Sequence, residues 1–497
     1  MKIKSEQQTY IDKLCKSTMF HMSLGSKELF HSNFLHWISI VKWEAFIQIM
    51  HGLAGVEKFW WEDERTPENG KVKVRREFHN FDLSIYILDS PVNNNEIGES
   101  EDENTESIRD AEGNEVIQKW IPVLILENKM KSLPYKEQLK KYTDKAFAEW
   151  CKGETIKMEI EKATNKKEIL ITERDFGITF ILLSLMDANL SPYCFDNQKV
   201  SKRPKYNLHL QSKWTHKNYK DLFDLIKPSM FEDGLEKQII EDYRDFIKAL
   251  NGLASSCWIV SPEKEYRSQI FPWNKDKKIC VKSKIQEIED YKKLRIQDVH
   301  EKLLYDQLLS LLEKGLKEQD LPFCRFSKEI VQEQRQKEKT QRIRVFTNSG
   351  FAHGVGIFEA QYILSEDFIL NGKKELLKLI IQVQGDRYCH MLIYDNIVKE
   401  DDKTVNVDVL KQVWKHDAIL KSIPLEDELG RYISINGSSP VFKWKNGFDN
   451  KFKKYGNNLI YQSVEIPQTA KICDVIEAVL DDVKRIDCWY RKKHIQN

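Results

Sequence analysis

Residues 120–129 read Trp-Ile-Pro-Val-Leu-Ile-Leu-Glu-Asn-Lys. Positions 121–126 hold five apolar residues and one proline, which is typical of a short strand buried on both faces of a parallel or mixed sheet. Side chains of a strand alternate between faces, so Glu127 and Lys129 share one face at its end. Two charges at the rim of a buried strand are costly unless they pair with each other or bind a metal. The strand is therefore the first indication of a functional site.

The composition of the whole chain sets broad limits. Its 497 residues predict two or three domains, and 78 Lys and Arg against 77 Asp and Glu mean that only a local basic patch could attract nucleic acid. The nine cysteines form no Cys-x-x-Cys pair, which argues against a zinc finger or disulfide framework and suits a reducing compartment. The amino terminus has no apolar signal segment, and no apolar run approaches the roughly 20 residues of a membrane span. We therefore expect a cytoplasmic protein without membrane contact.

Another carboxylate precedes this strand in the sequence. Residues 71–88 alternate and are rich in β-branched residues, which predicts two short strands or one bent strand. Asp82, Ser84 and Tyr86 share one face there. Residues 91–115 are rich in Asn, Glu and Asp with almost no apolar residue, which predicts a mobile acidic insert.

Helical patterns lie on both sides of the predicted strands. The segment 133–150 predicts a helix on which Gln138 and Tyr142, four residues apart, are neighbours. An earlier amphipathic helix over 26–41 carries Glu28 and His31 near its first turn. Residues 178–185 predict another buried strand, and the order strand, strand, helix, strand indicates an α/β core. Five lysines between positions 131 and 145 make this region locally basic.

The rest of the chain predicts further domains. The first domain is expected to end near residue 260, and residues 261–330 read as a helical arm or linker. Residues 331–497 predict an accessory α+β domain, with hairpin signals at Asn371-Gly372 and Gly385-Asp386 and a closing amphipathic helix over 470–486. This domain could confer specificity, or hold a second copy of the chain or a partner protein.

The charged residues near the predicted strands point to metal chemistry. If the two strands are neighbours, Asp82, Glu127 and Lys129 converge on one edge. Carboxylate oxygens suit Mg²⁺, which accepts one or two carboxylates and keeps several waters. A metal-bound water can attack a phosphate while the metal shields its charge, and a lysine beside the metal would orient the water or stabilise the transition state. The chemistry implied is hydrolysis of a phosphodiester.

These residues resemble the restriction-endonuclease-like PD-(D/E)XK nuclease superfamily. Asp82 stands at the motif aspartate, Glu127-Asn128-Lys129 matches (D/E)-X-K, and Gln138-Leu-Lys-Lys-Tyr142 is similar to the Q-x-x-x-Y motif of the RecB-like branch. Glu28 is similar to an amino-terminal helix glutamate that many members use as an extra metal ligand. The resemblance covers about residues 20–250. Phe81 replaces the proline of the motif name, and the spacing of 127 − 82 = 45 residues requires the acidic insert to loop out as a hairpin extension.

The resemblance implies a central mixed sheet flanked by helices, and a nuclease that cleaves DNA or RNA, DNA being favoured, with Mg²⁺ or with Mn²⁺ as a substitute. The catalytic residues would be Asp82, Glu127, Lys129, Gln138 and Tyr142, and the metal ligands Asp82, Glu127 and Glu28. Defence against foreign nucleic acid is compatible with such an enzyme.

Structural interpretations stand beside these functional ones. Glu127 and Lys129 could form a plain ion pair, Asp82 could cap a strand end, and Gln138 could be an ordinary solvated residue. Tyr142 could belong to the core, and Glu28 could be a first-turn carboxylate that the helix dipole stabilises. Glu77 is a further candidate for the site. His31 and His36 are interpreted as packing or capping residues and not as metal ligands. Two other functions stay open: a catalytically lapsed nucleic-acid-binding or assembly module, and another metal-dependent phosphoester enzyme on the same scaffold.

Overall fold

A computed structural model of the protein describes residues 5–23, 27–63, 65–93, 105–109, 115–130, 136–150, 169–171, 177–185, 194–199, 208–272, 284–321, 343–346, 356–370, 373–395, 434–435, 439–440, 453–455 and 459–494. The chain divides into two compact units, Met1–Cys257 and Trp258–Asn497. The helical segment after residue 260, predicted as an arm or linker, thus belongs to the second unit.

The first unit combines helices with one mixed sheet. Its helices are α1 (Glu6–Lys16), α2 (Thr18–Ser23), α3 (Lys27–Val41), α4 (Trp43–Ala54), α5 (Lys136–Trp150), α6 (Tyr219–Leu225) and α7 (Leu235–Gly252). Its strands are β1 (Val72–Arg76), β2 (Leu83–Asn93), β3 (Thr105–Arg109), β4 (Glu115–Lys129), β5 (Ile169–Ile171), β6 (Thr179–Ser184), β7 (Cys194–Lys199) and β8 (Leu208–Asn218). The predicted α/β class is confirmed.

The sheet has the order β1-β2-β4-β6-β8-β5, with β3 also paired to β4 and β7 to β8. β4 is antiparallel to β2 and parallel to β6, and β6 is parallel to β8. The carboxyl ends of β4, β6 and β8 therefore meet the beginning of β2 at one edge. In open α/β sheets, that edge is where ligands usually bind.

Helices cover both faces of this sheet. On one face, α5 packs on β4, and Trp214 of β8 donates from its indole nitrogen to Oγ1 of Thr143 at 2.9 Å. On the other face, α3 contacts β1 and β4, and α4 contacts β6 and β8. The strands between these layers are apolar on both faces because water is excluded from both: Leu124, Ile125 and Leu126 are fully buried.

The acidic insert, residues 91–115, is described only in part. Its described parts form strands: residues 91–93 of β2 pair with residues 116–118 of β4, and β3 pairs with residues 115–119 of β4. Strand pairing satisfies backbone hydrogen-bonding groups without needing a large apolar surface, so the polar composition did not predict these short strands. The insert extends the β2–β4 hairpin, which is how the 45-residue spacing between Asp82 and Glu127 is accommodated.

The second unit is built on an antiparallel sheet. Its helices are α8 (Tyr266–Gln269), α9 (Ile285–Lys293), α10 (Gln297–Glu318) and α11 (Ile472–His494). Its strands are β9 (Ile343–Phe346), β10 (Gly356–Leu370), β11 (Lys373–Gln384), β12 (Arg387–Asp395), β13 (Ser434–Ile435), β14 (Ser439–Pro440), β15 (Lys453–Tyr455) and β16 (Leu459–Glu465). The main sheet has the order β15-β16-β12-β11-β10-β9, and α10 packs on β10 and α11. Both predicted hairpins are confirmed, and Gly385 supplies the left-handed φ of +56° at the second.

A buried polar cluster joins this second sheet to α11. Nε2 of His390 lies 2.6 Å from Oδ2 of Asp482, and the Tyr388 hydroxyl donates to the same oxygen. The side chains of His390 and Asp482 are each only 1% exposed. Buried polar groups are tolerated when they bond to one another, so the cluster fixes the position of α11 on the sheet.

Candidate active site

The strand register places the two predicted carboxylates beside each other. Leu83 pairs with Leu126 across antiparallel β2 and β4, so Asp82, just before β2, lies opposite Glu127. The backbone N–H of Asn128 donates to Oδ2 of Asp82 at 2.7 Å. Residues far apart in sequence thus meet at the sheet edge formed by the carboxyl ends of β4, β6 and β8.

Glu127 and Lys129 form a close ion pair. Nζ of Lys129 lies 2.7 Å from Oε1 of Glu127. The Lys129 side chain is 15% exposed and the Glu127 side chain only 1%. Removing a carboxylate this completely from water is expensive, and a neighbouring ammonium offsets part of the cost. This pair is therefore also consistent with the plain structural interpretation.

Helix α5 brings the other two predicted residues to the same place. Nε2 of Gln138 donates to the Tyr142 hydroxyl oxygen at 3.0 Å. The Phe81 and Tyr142 rings pack edge-on, with their centroids 5.8 Å apart. Burial raises the pKa of Tyr142 above its ordinary value of 10.0, and the negative charge of Glu127 raises it further. The Gln138 hydrogen bond and the charge of Lys129 act in the opposite direction on this pKa.

Asp82 also raises the Tyr142 pKa by its charge. Tyr142 therefore lies within electrostatic reach of all three charged residues of the predicted motif. The structure brings together the five residues predicted as catalytic: Asp82, Glu127, Lys129, Gln138 and Tyr142.

A pair of residues not singled out by sequence adjoins this group. Ser184 pairs with Lys129 across β4 and β6, and His216 pairs with Leu182 across β6 and β8, so both share the sheet face of Glu127 and Lys129. Oγ of Ser184 and Nε2 of His216 lie 2.6 Å apart. No local pattern marks these residues, because only the strand register puts them beside the site.

The remaining candidates take different positions. Glu28 lies in α3 one turn before His31, and its side chain is outside the described part of the structure. His31 is packed: Nδ1 lies 2.8 Å from the Tyr243 hydroxyl, and burial lowers its pKa to about 3. His36 is half-buried, and burial together with the charge of Arg76 lowers its pKa.

Glu77 is exposed at the turn that leads into Asp82. Glu77, His79 and Asn80 have left-handed φ values of 51°, 56° and 66°. Such conformations cost free energy for residues other than glycine and often occur near functional sites. The nearby basic run is described only in part: Lys141 of α5 is exposed and Lys145 is half-buried.

The donor set suits a hard cation held by two carboxylates. Within the described ranges, no group of three or more His, Cys, Asp and Glu side chains could hold a metal ion. Mg²⁺ does not require such a group, because it binds through one or two carboxylates and retains water ligands. Asp82 and Glu127 are the residues that could hold it.

Comparison with known proteins gives no assignment. No family model, curated protein or solved structure matches the chain. In the described part of the chain, no helix has the length and apolar character needed to span a membrane.

Proposed function

We propose that the protein is a metal-dependent nuclease that hydrolyses phosphodiester bonds, with DNA as the favoured substrate and a restriction-endonuclease-like core. The observation that supports this proposal is that Asp82 lies beside Glu127 and Lys129 at the sheet edge where the parallel strands β4, β6 and β8 end. Two carboxylates and an ammonium on adjacent strands form a compact group for metal binding and phosphate chemistry.

Each residue has a defined task in this proposal. Asp82 and Glu127 would hold the Mg²⁺ ion, which when bound would supply an acidified water and screen the phosphate charge. Lys129 is kept in place by its ion pair with Glu127, where an ammonium can orient the attacking water or stabilise developing negative charge.

Helix α5 supplies uncharged polar groups to the same edge. Gln138 donates to the Tyr142 oxygen, so the tyrosine O–H is directed elsewhere and can donate to a phosphate oxygen. Its raised pKa keeps the Tyr142 hydroxyl protonated at neutral pH. The exposed Lys141 on the same helix can contact the substrate backbone.

The proposal is tested with the full chain on single- and double-stranded DNA and RNA, with Mg²⁺, with Mn²⁺ and with chelator. We expect metal-dependent cleavage that Lys129→Ala abolishes and Lys58→Ala largely preserves, since Lys58 is an exposed lysine that pairs with Asp63 and has no part in the proposed site. Undiminished cleavage by purified Lys129→Ala would refute the assignment. Binding without cleavage on every substrate and metal would support a lapsed nucleic-acid-binding module instead.

A further inference from the structure

Asn128, the middle residue of the Glu-Asn-Lys motif, is bonded on two sides. Strand alternation places its side chain on the sheet face opposite Glu127 and Lys129, where it is fully buried. Its side-chain oxygen accepts a hydrogen bond from the Tyr219 hydroxyl, and its backbone N–H donates to Asp82. A buried amide at the end of an apolar strand is costly unless it is hydrogen-bonded, and here its bonds reach the proposed metal ligand.

Tyr219 is itself firmly held. It is the first residue of α6 and directly follows the N-cap residue Asn218, whose side chain accepts from the backbone N–H of Asp221 at 2.9 Å. The Asp221 side chain accepts in return from the N–H of Asn218 at 2.9 Å, which completes a capping box. The Tyr219 ring is fully buried and packs edge-on against His31, with ring centroids 4.7 Å apart.

The buried contacts continue into the helical layer. His31 of α3 lies 2.8 Å from the hydroxyl of Tyr243, which belongs to α7. Asp82 is thus connected, through the peptide of Asn128 and the hydroxyl of Tyr219, to a packed cluster on the face opposite α5. That connection offers a rigid support for one carboxylate oxygen.

We propose that Asn128 and Tyr219 are positioning residues for the Asp82 carboxylate, and the inference rests on the proposed metal-dependent function. Tyr219 fixes the Asn128 side chain, and the strand backbone then holds the N–H that orients Oδ2 of Asp82. Groups that orient metal ligands typically change metal affinity or activity about 10-fold to 100-fold when removed.

The test compares two tyrosines of one aromatic cluster. Tyr219→Phe removes the hydroxyl that donates to Asn128. Tyr243→Phe instead removes the hydroxyl that contacts His31, and this hydroxyl has no described contact with Asn128. Mn²⁺ binding to the full chain is measured by electron paramagnetic resonance without substrate, and cleavage is measured against Mg²⁺ concentration. We expect Tyr219→Phe to weaken Mn²⁺ binding about tenfold and to lower kcat with little change in KM, and Tyr243→Phe to stay within about twofold of wild type.

Asn128→Leu, which keeps the volume and removes the acceptor, is the second variant if Tyr219→Phe does not fold. A wild-type protein that binds Mn²⁺ and cleaves, with equal Mn²⁺ affinity in Tyr219→Phe and Tyr243→Phe, overturns the positioning role and leaves the nuclease proposal standing. A wild-type protein that neither binds Mn²⁺ nor cleaves overturns both.

Discussion

Lys129 holds its ammonium 2.7 Å from a carboxylate oxygen of Glu127 whose side chain is almost completely removed from water. Loss of one partner from a buried ion pair typically costs about 3–5 kcal/mol, whereas replacing both partners with neutral side chains is much less harmful. We therefore expect Lys129→Met to destabilise the protein by that amount and Glu127→Gln/Lys129→Met to recover most of the loss. Chemical denaturation of the single and double variants gives the coupling free energy, and additive effects would contradict it.

Tyr142 should affect the reaction rate by the same factor at every pH between 6 and 9. Burial and the charge of Glu127 raise the Tyr142 pKa above its ordinary value of 10.0, so its hydroxyl keeps its proton across this range. Tyr142→Phe is expected to lower kcat/KM by roughly 100-fold, as for other donors to a charged transition state. The measurement is the pH–rate profile of both proteins. Disappearance of an alkaline limb in Tyr142→Phe would mean that the hydroxyl titrates within the working range.

The Thr143 hydroxyl should stabilise the packing of α5 on the sheet. Its hydroxyl donates to the Leu139 carbonyl at 2.8 Å and accepts from the Trp214 indole. Thr143→Val keeps the shape and leaves the buried Trp214 N–H without this acceptor, at a cost of about 1–3 kcal/mol. Thermal unfolding measures the loss, and Thr143→Ser, which keeps the hydroxyl, is the matched control. Equal melting temperatures for wild type and Thr143→Val would show that the bond does not stabilise the fold.

The stability of the first unit should fall in mild acid because of His31. Burial lowers its pKa from 6.5 to about 3, so between these values the unfolded chain binds a proton that the folded chain does not. The free energy of unfolding is therefore highest above pH 6.5 and decreases as the pH falls below that value, by about 1.4 kcal/mol per pH unit for one such group. Calorimetry at pH 5 to 8 should show a shallower dependence in His31→Leu. An unchanged slope in this variant would show that other groups cause the acid sensitivity.

Asp482 should be important for the stability of the second unit. Its carboxylate accepts from Tyr388 and lies 2.6 Å from His390 in a buried cluster. Asp482→Ala deprives both groups of this shared oxygen and should cost roughly 2–5 kcal/mol, whereas Asp481→Ala, an exposed neighbour, should change little. Similar denaturation curves for the two alanine variants would show that the cluster does not stabilise α11.

The elements that frame the site could be predicted because their patterns are local. An apolar run ending in two charges predicted β4, alternation predicted β1 and β2, and helical spacing predicted α5 with Gln138 and Tyr142 on it. Their order along the chain was enough to predict an α/β core. The candidate site residues were chosen from the same segments, together with a resemblance to a nuclease superfamily, and their catalytic role stays a prediction.

The contacts that complete the site could not be predicted, because they depend on strand register and on residues distant in sequence. Ser184 and His216 become neighbours only through the pairing of β6 with β8. Asn128 looked like the variable position of a motif, and its partner Tyr219 lies 91 residues away. Helix α1 was missed for a different reason: its mean composition is polar, and the signal that remains is the Ser5 cap, whose Oγ accepts from Gln8 at 3.2 Å.

The β2–β4 hairpin also gives a practical handle on the protein. Asp82 and Glu127 lie at one end of the pairing between β2 and β4, while Asn93, which pairs with Val116, lies at the other end of the 11-residue strand β2. At about 3.3 Å per residue this separates the carboxylates from Asn93 by roughly 35 Å. A fluorescent label carried at position 93 would therefore report on the protein while leaving its chemistry untouched.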